Sequence, residues 1–535
     1  MLVENIAYAC ITQWCENENA EKEIIHWINA DLTETSYSYA YFEKESNKIA
    51  NLLQKLGIQG GDIISAFLPR SPILISSVFG ILKLQALSCI LFSTLGEEAL
   101  LDRLGNSEAK IVITKNSLAR KIVAIKEKLP NLQYILVVDA DEHKSDFVLS
   151  LPKLMEEAKD TFEYPHHLDS ETPAFLQYTS GSTGKPKGAL HVHAALQDII
   201  QSYSEVMQIE TGDLYWCTAD PAWITGLSYG VFAPLSTKVT QVQYGGAYNA
   251  DHWLQILKQK KITIWYTAPT ALRMLMQEET EKFENVRSNS LKRIYSVGEP
   301  LNPEIYHWGK KIFGTEIYDN WFQSETGSIM ISNHPNLEVK PGSMGKPRAG
   351  IEPFILTDAM QPAAIGAHGL LAVRKGWNSM FRTYYKKADA YAEKFQGEFY
   401  LTGDLAYRDE DGYFWYVSRS DDVINTAGHL VGPFEVESAL LEIEEIGDAA
   451  VIGVDDPLLH KKIIAFVVLK TGITWERSIE LKCRIYISNK VSTVAIPAEF
   501  VVVDKIPKNQ SGKILRRVLR AIYEGTDPGD LSTME

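Results

Sequence analysis

Apolar residues recur every three or four positions through residues 42–56, FEKESNKIANLLQKL, and that spacing predicts an amphipathic helix. The turn GIQGGD and a strand-like IISAFL follow it, then an apolar region over residues 73–92. Lys83, Gln85 and several serines interrupt that region, so it reads as a buried helix running into a strand. A membrane-spanning helix would want about 20 mostly apolar residues. Short β-branched and aromatic runs, AKIVIT (109–114), YILVVDA (134–140), ITIWYTAP (262–269), RIYSVGEPL (293–301) and EIYDNW (316–321), alternate with helical stretches. Such alternation predicts parallel strands with crossover helices, and ligands gathering at the loops that follow the strand ends. After about Gly342 the texture changes to short strands and turns. LAYRDEDGYFWYVSR predicts a hairpin turning at Asp411-Gly412, and a helix should start near Pro433, a residue suited to a first helical turn. The fold class expected is α/β: a large multi-sheet α/β N-terminal body, residues 1–420, with a small α+β C-terminal domain, residues 421–535.

Composition narrows the picture. A chain of 535 residues exceeds what one hydrophobic core usually serves, and 45% hydrophobic with 23% charged residues is ordinary for a globular protein. With 53 basic against 68 acidic residues the net charge is −15, which argues against a general nucleic-acid or anionic-membrane surface. Any bound anion must then be held by local donors. Five cysteines, none at CxxC spacing, predict neither a disulfide scaffold nor a zinc site and fit a reducing cytoplasm. The N-terminal stretch lacks a basic start followed by an apolar run, so no secretory leader is expected.

The densest candidate chemistry is YTSGSTGKPKG, residues 178–188. Glycine-turn N–H groups, Ser and Thr hydroxyls and lysines together can surround phosphate oxygens. A Walker A loop is excluded, because only two residues separate Gly181 from Gly184 and Lys185 precedes Pro186. The competing reading is a surface loop of turn-forming residues. His191 and His193 have the spacing of two ligands on one strand face, but no matching Cys or His cluster accompanies them. His166-His167 reads as polar linker and Asp421-Asp422 as a solvated turn. Trp216, Trp223, Trp321 and Trp415 read, each alone, as core or pocket wall.

Taken together, YTSGSTGKPKGALHVH, CTADPAWITGLSYGVFAPL, SVGEPLNPE, DNWFQSETG, KPGSMGKP, YLTGDLAYRDEDGYFWYVSRSDDVINTAGH, GPFEVESAL and IPKNQSGKILRRVLR resemble, in order and spacing, the adenylate-forming ligase superfamily. Within it CTADPAWITG, DNWFQSETG and the tail GDLSTME look like AMP-forming acetyl-CoA synthetases, particularly the shorter form. The resemblance implies that a carboxylate attacks the α-phosphate of ATP, giving acyl-AMP and pyrophosphate, and that coenzyme A then displaces AMP. It implies a C-terminal domain that rotates between the steps. Thr179, Ser180, Gly181, Ser182, Thr183, Gly184 and Lys187 match the loop that grips the leaving pyrophosphate, and Glu325 the Mg²⁺ carboxylate. Gly298, Glu299 and Pro300, with Asp319, Asn320, Trp321, Phe322, Gln323 and Ser324, match the adenine and phosphate segment. Asp404 matches the ribose carboxylate, and Arg419 the basic residue that also reaches the ribose or phosphate. Lys513 matches the lysine bridging carboxylate and α-phosphate, and lysine acetylation there, a control seen in the family, would remove its charge. Asp421 matches the hinge, and Ala427 and Gly428 the loop beside the coenzyme A thiol. Ile224, Thr225, Val297 and Phe322 match the acyl pocket, where Phe322 replaces the family's usual tryptophan. Acetate is therefore the expected substrate, with propionate or a small branched acid second.

Departures are few. Leu430 replaces an arginine that contacts phosphate in the family, which predicts reduced activity or a shifted balance between half-reactions. Gln85-Ala86 replaces Gly-Ala, read as a harmless packing change; Ser324 replaces threonine and Ala427 serine. Three readings follow: an acyl-CoA synthetase, a ligase passing the same adenylate to another acceptor such as a carrier protein, and a non-catalytic nucleotide-binding protein. Intact Lys513, Glu325 and Asp404 favour the first.

Overall fold

The computed structural model describes the chain except residues 180–185, 285, 287–289, 427–428, 510–512, 529–530, 532–533 and 535, and the side chain of residue 430. The helix expected at residues 42–56 spans Tyr39–Lys55, opened by the Ser38 hydroxyl accepting from the Tyr41 N–H at 3.3 Å. Its buried Phe42, Ser46, Ile49 and Leu53 face the helix Pro72–Lys83. Gly80 permits that approach: a Cβ there would stand 2.7 Å from Ile49 Cγ2 and 2.9 Å from the Ser46 carbonyl oxygen. The chain then turns through Gln85 at φ +57° into the strand Leu87–Leu91. What glycine would supply at residue 85 is thus left-handed backbone freedom, where the sequence reading saw only packing.

An eight-stranded sheet has Ile63–Phe67 and Leu87–Leu91 at its centre, parallel to Ile111–Thr114 and Tyr134–Val137. Ile63–Phe67 is buried on both faces, Ile64 and Ala66 in one hydrophobic cluster and Ile63 and Phe67 in another, which is why its sequence is a continuous apolar run. A fourteen-stranded sheet carries six parallel strands in a row: Glu23–Ile28, Gln241–Tyr244, Tyr215–Cys217, Ile264–Thr267, Arg293–Ser296 and Ile317–Trp321. It continues antiparallel through Phe399–Arg408 and Phe414–Arg419, joined by the expected turn with Gly412 at φ +84°. The pair His166-His167 departs from the linker reading. His167–Asp169 pairs antiparallel with Leu2–Glu4, and the His166 ring stacks on Tyr8 at 4.2 Å.

Strands from Ile424 onward form a separate five-stranded sheet built on the long hairpin Ile446–Asp456 and His460–Leu469. The helices Pro433–Leu441 and Arg477–Lys490 cover it, with Val436, Leu440, Cys483 and Ile487 in its core. This smaller C-terminal domain meets the large body where the Asn302 amide donates to Ser438 Oγ at 2.8 Å and Arg273 lies 3.8 Å from Asp448. Among the described residues no helix is long and apolar enough to cross a membrane.

Candidate active site

The loops that follow five parallel strands, together with the C-terminal domain, enclose a cavity of about 670 Å³. Thr218 to Asp220 follow Tyr215–Cys217, Ala268 follows Ile264–Thr267, Val297 to Pro300 follow Arg293–Ser296, Phe322 to Glu325 follow Ile317–Trp321, and Thr179 ends Pro173–Thr179. Parallel strands align their carboxyl ends along one edge, so these loops converge.

Asp404 is the most constrained acid on this wall. The hairpin register sets it opposite Arg419, whose Nη1 donates to Oδ1 at 2.9 Å. Its Oδ2 accepts from Trp321 Nε1 at 3.0 Å and from Gln323 Nε2 at 2.8 Å. Gln323 is itself oriented by the Tyr400 hydroxyl, which donates to its Oε1 at 2.8 Å. Trp321 is therefore both wall and orienting donor. Further along, Glu325 Oε1 accepts from the Tyr384 hydroxyl at 2.6 Å. Tyr384 is brought there by Thr383–Tyr384 pairing with Lys187–Val192, and the Lys187 ammonium lies over its ring at 5.3 Å. Glu325 Oε2 has no hydrogen-bond partner among the described residues, which leaves a hard oxygen donor of the kind Mg²⁺ prefers.

Asp319 lines the cavity but is spent internally, accepting from Ser296 Oγ at 2.5 Å and from the Leu301 N–H at 3.4 Å. Burial pushes its carboxyl up to about 7. Its role is to brace the turn carrying Gly298, Glu299 and Pro300, and the Thr270 hydroxyl braces Glu299 in turn. Ile224, Thr225, Val297 and Phe322 line an apolar recess, with Phe322 edge-on to Tyr229 at 5.4 Å. Tyr229 is fixed by the Ile329 N–H, which donates to its hydroxyl at 2.7 Å.

Lys513 reaches the same cavity from the C-terminal domain, its N–H donating to Asn509 Oδ1 at 2.9 Å. Withdrawal from water lowers its ammonium pKa and Arg419 adds to this, while Asp422, Asp404 and Asp421 oppose. Asp421 does not line the cavity; it lies 3.8 Å from Arg419 Nε. Ser180, Gly181, Ser182, Thr183, Gly184, Ala427 and Gly428 lie outside the described residues. Leu430 pairs with Asn425 through its backbone.

The two histidines of residues 191–193 hold structure. His191 Nε2 donates to the Ser324 carbonyl at 2.8 Å while its ring stacks on Phe175, and His193 Nδ1 accepts from the Ile6 N–H at 3.1 Å. Burial lowers them to about 4 and about 3. Trp415 stacks on Tyr407 and donates to Asp409 at 3.1 Å, outside the cavity. Sequence reasoning missed Tyr384, Lys394, Arg70 and Arg273, all of which line the cavity. Tyr384 and Lys394 fall in a stretch without a recognised motif.

The pocket thus lies at the carboxyl ends of parallel strands, with Lys187, Lys394, Arg419 and Lys513 and an apolar set of residues in its lining, between the large body and the small C-terminal domain. Residues 12–385 match the family described as AMP-binding enzyme and residues 435–513 its C-terminal domain, and the chain belongs to that family. Relatives include the acetyl-coenzyme A synthetase of Bacillus subtilis (strain 168), 40% identical over 99% of this chain and 92% of that protein. That of Deinococcus radiodurans is 35% identical over 99% of this chain and 85% of its own. Among solved structures, the anthranilate CoA ligase AuaEII with anthranoyl-AMP has a TM-score of 0.87 at 26% identity, covering 97% of both chains. A Brucella canis acyl-CoA synthetase has a TM-score of 0.75 at 29% identity, covering 97% of this chain and 94% of that one.

Proposed function

We propose that the protein is an AMP-forming acetate–CoA ligase. The observation that carries this reading is the single cavity in which Lys513, Asp404 with Arg419, and Glu325 with Tyr384 surround a small apolar recess. Two relatives named acetyl-coenzyme A synthetase, aligned over 99% of the chain, support it. In the first step a carboxylate oxygen of the acid attacks the α-phosphorus of ATP, the bond to the β-phosphate oxygen breaks, and pyrophosphate leaves. In the second the thiol sulfur of coenzyme A attacks the acyl carbon and AMP leaves with the bonding electrons.

The residues divide this work by charge and shape. Asp404, already oriented by three donors, has about one lone-pair site left, on Oδ1, to accept from a ribose hydroxyl. Trp321 with Gly298, Glu299 and Pro300 would hold the adenine. Lys187, Thr179 and the neighbouring residues 180–184 would hold the leaving pyrophosphate. Glu325 would hold Mg²⁺ through its free oxygen; when bound, Mg²⁺ screens the negative charge of the phosphate oxygens. Lys513 would bridge the carboxylate and the α-phosphate, stabilising charge where it develops. Its place on the C-terminal domain lets it withdraw when that domain rotates about Asp421, between residues 1–420 and 421–535, and admits Ala427 and Gly428 beside the thiol. Phe322 would close the acyl recess near the size of acetate. Because its ring is smaller than an indole, propionate is the second reading. The free cysteines fit a reducing, cytoplasmic setting.

The test is acid-dependent release of pyrophosphate from ATP and Mg²⁺, with and without coenzyme A, across acetate, propionate, butyrate, isobutyrate and benzoate. Sustained release that needs coenzyme A and peaks at acetate or propionate is expected. No release with any acid by a folded protein that binds ATP would favour the non-catalytic reading instead.

A further inference from the structure

We propose that Lys394 is an additional ligand of the nucleotide's phosphate chain, contributed from outside every recognised motif; the inference rests on the nucleotide-binding reading above. Lys394 follows the helix Ala388–Ala392 and precedes the strand Phe395–Gln396. Its backbone is fixed at both ends: its N–H donates to the Tyr391 carbonyl at 3.0 Å, and its own carbonyl accepts from the Leu401 N–H at 2.7 Å. Phe395 beside it packs among Tyr391, Phe381 and Tyr400. The side chain so anchored enters the cavity, while Glu393 and Gln396 on either side face solvent.

The position of the ammonium follows from Gly403. A Cβ built there would lie 3.1 Å from Arg419 Nη2 and 3.7 Å from Lys394 Nζ, so the two cations meet over this glycine. Arg419 is committed to Asp404, whereas the Lys394 ammonium has neither an ion pair nor a hydrogen bond among the described residues. Lys187, also in the cavity lining, acts on it as a further positive charge, and Glu325 and Asp404 partly balance the set. Burial is the largest influence and lowers its pKa. A lysine serving only solubility would turn to bulk water. One held half-buried beside other cations is suited to a multiply charged anion arriving between them, as Lys acts on phosphate as a point charge. The apolar recess of Ile224, Val297 and Phe322 takes the acid, so the anion facing Lys394 belongs to the nucleotide.

The experiment measures binding of α,β-methylene-ATP with Mg²⁺, and of adenosine alone, to the full chain and to Lys394→Met and Lys394→Arg. The methionine variant is expected to lose about tenfold in affinity for the analogue while holding adenosine within about twofold, and the arginine variant to keep most of the analogue affinity. In turnover the KM for MgATP rises and that for the acid does not. Unchanged analogue affinity in Lys394→Met, or an equal loss for adenosine, overturns the inference while leaving the ligase reading intact. Failure of the unaltered protein to bind either ligand overturns the nucleotide reading and this inference with it.

Discussion

Asp404 gathers three donors, Trp321 and Gln323 from 83 and 81 residues earlier in the chain and Arg419 from the facing strand, and none of these contacts was legible beforehand. The hairpin turning at Asp411-Gly412 brings the two strands together, but setting Asp404 opposite Arg419 also takes the register shift between Leu405 and Ala406, which the turn does not predict. The contact between Tyr384 and Glu325 was not legible, because it depends on a two-residue strand joining a sheet formed some 190 residues earlier in the chain. At Phe322, the proposed wall of the acyl recess, the ring packs edge-on against Tyr229, whose hydroxyl is held by the Ile329 N–H. Phe322→Gly is therefore expected to move chain-length preference from acetate toward butyrate or longer acids. The ratio of kcat/KM values should change by about tenfold or more, since each methylene accommodated is worth ~1–3 kcal/mol. An unchanged chain-length profile would remove Phe322 from the recess wall.

Elements were legible where pattern and burial agree. The run IISAF reads as a strand because both its faces are buried, and the helix at residues 39–55 reads from its period and its Ser38 cap. The helix-to-strand turn at Gln85 was misread, since sequence shows residue size more readily than φ. The left-handed conformation costs a non-glycine residue about 1 kcal/mol, and Gln85→Gly is expected to stabilise the protein by up to that amount. Denaturant midpoints of the two proteins check this, and a destabilised variant would contradict it. The strand carrying His191, and the turn after it carrying His193, make the fold acid-sensitive. Both rings stay neutral when folded down to about pH 4 and about pH 3, while an unfolded histidine protonates near 6.5. The unfolded chain thus binds more protons in that window, and stability falls as pH drops below about 6.5. The loss is about 2 kcal/mol per ring by pH 5. Urea unfolding at pH 7 and pH 5 should show it, and His193→Gln should flatten the slope.

At the scale of the whole molecule, the large body supplies most of the cavity lining, and the C-terminal domain adds Glu437, Arg516 and Lys513, the last being the proposed bridge between the two substrates. A ligase that uses one cavity for two reactions needs such a charge in the first and gains from its absence in the second, when the thiol must approach. That division was legible only through resemblance, because Lys513 lies 94 residues beyond Arg419 and nothing in its local pattern points back to the cavity. Burial and Arg419 both press on its ammonium, so an arriving carboxylate and phosphate would relieve the strain on the charge. The most direct test is to separate the half-reactions in Lys513→Ala, measuring acetate-dependent exchange of pyrophosphate into ATP and, apart from it, thioester formation from supplied acetyl-AMP and coenzyme A. Exchange is expected to fall by a factor of about 100 or more, the scale of one transition-state donor, with thioester formation near that of the unaltered protein. Equal loss of both, or exchange that survives, would contradict the account.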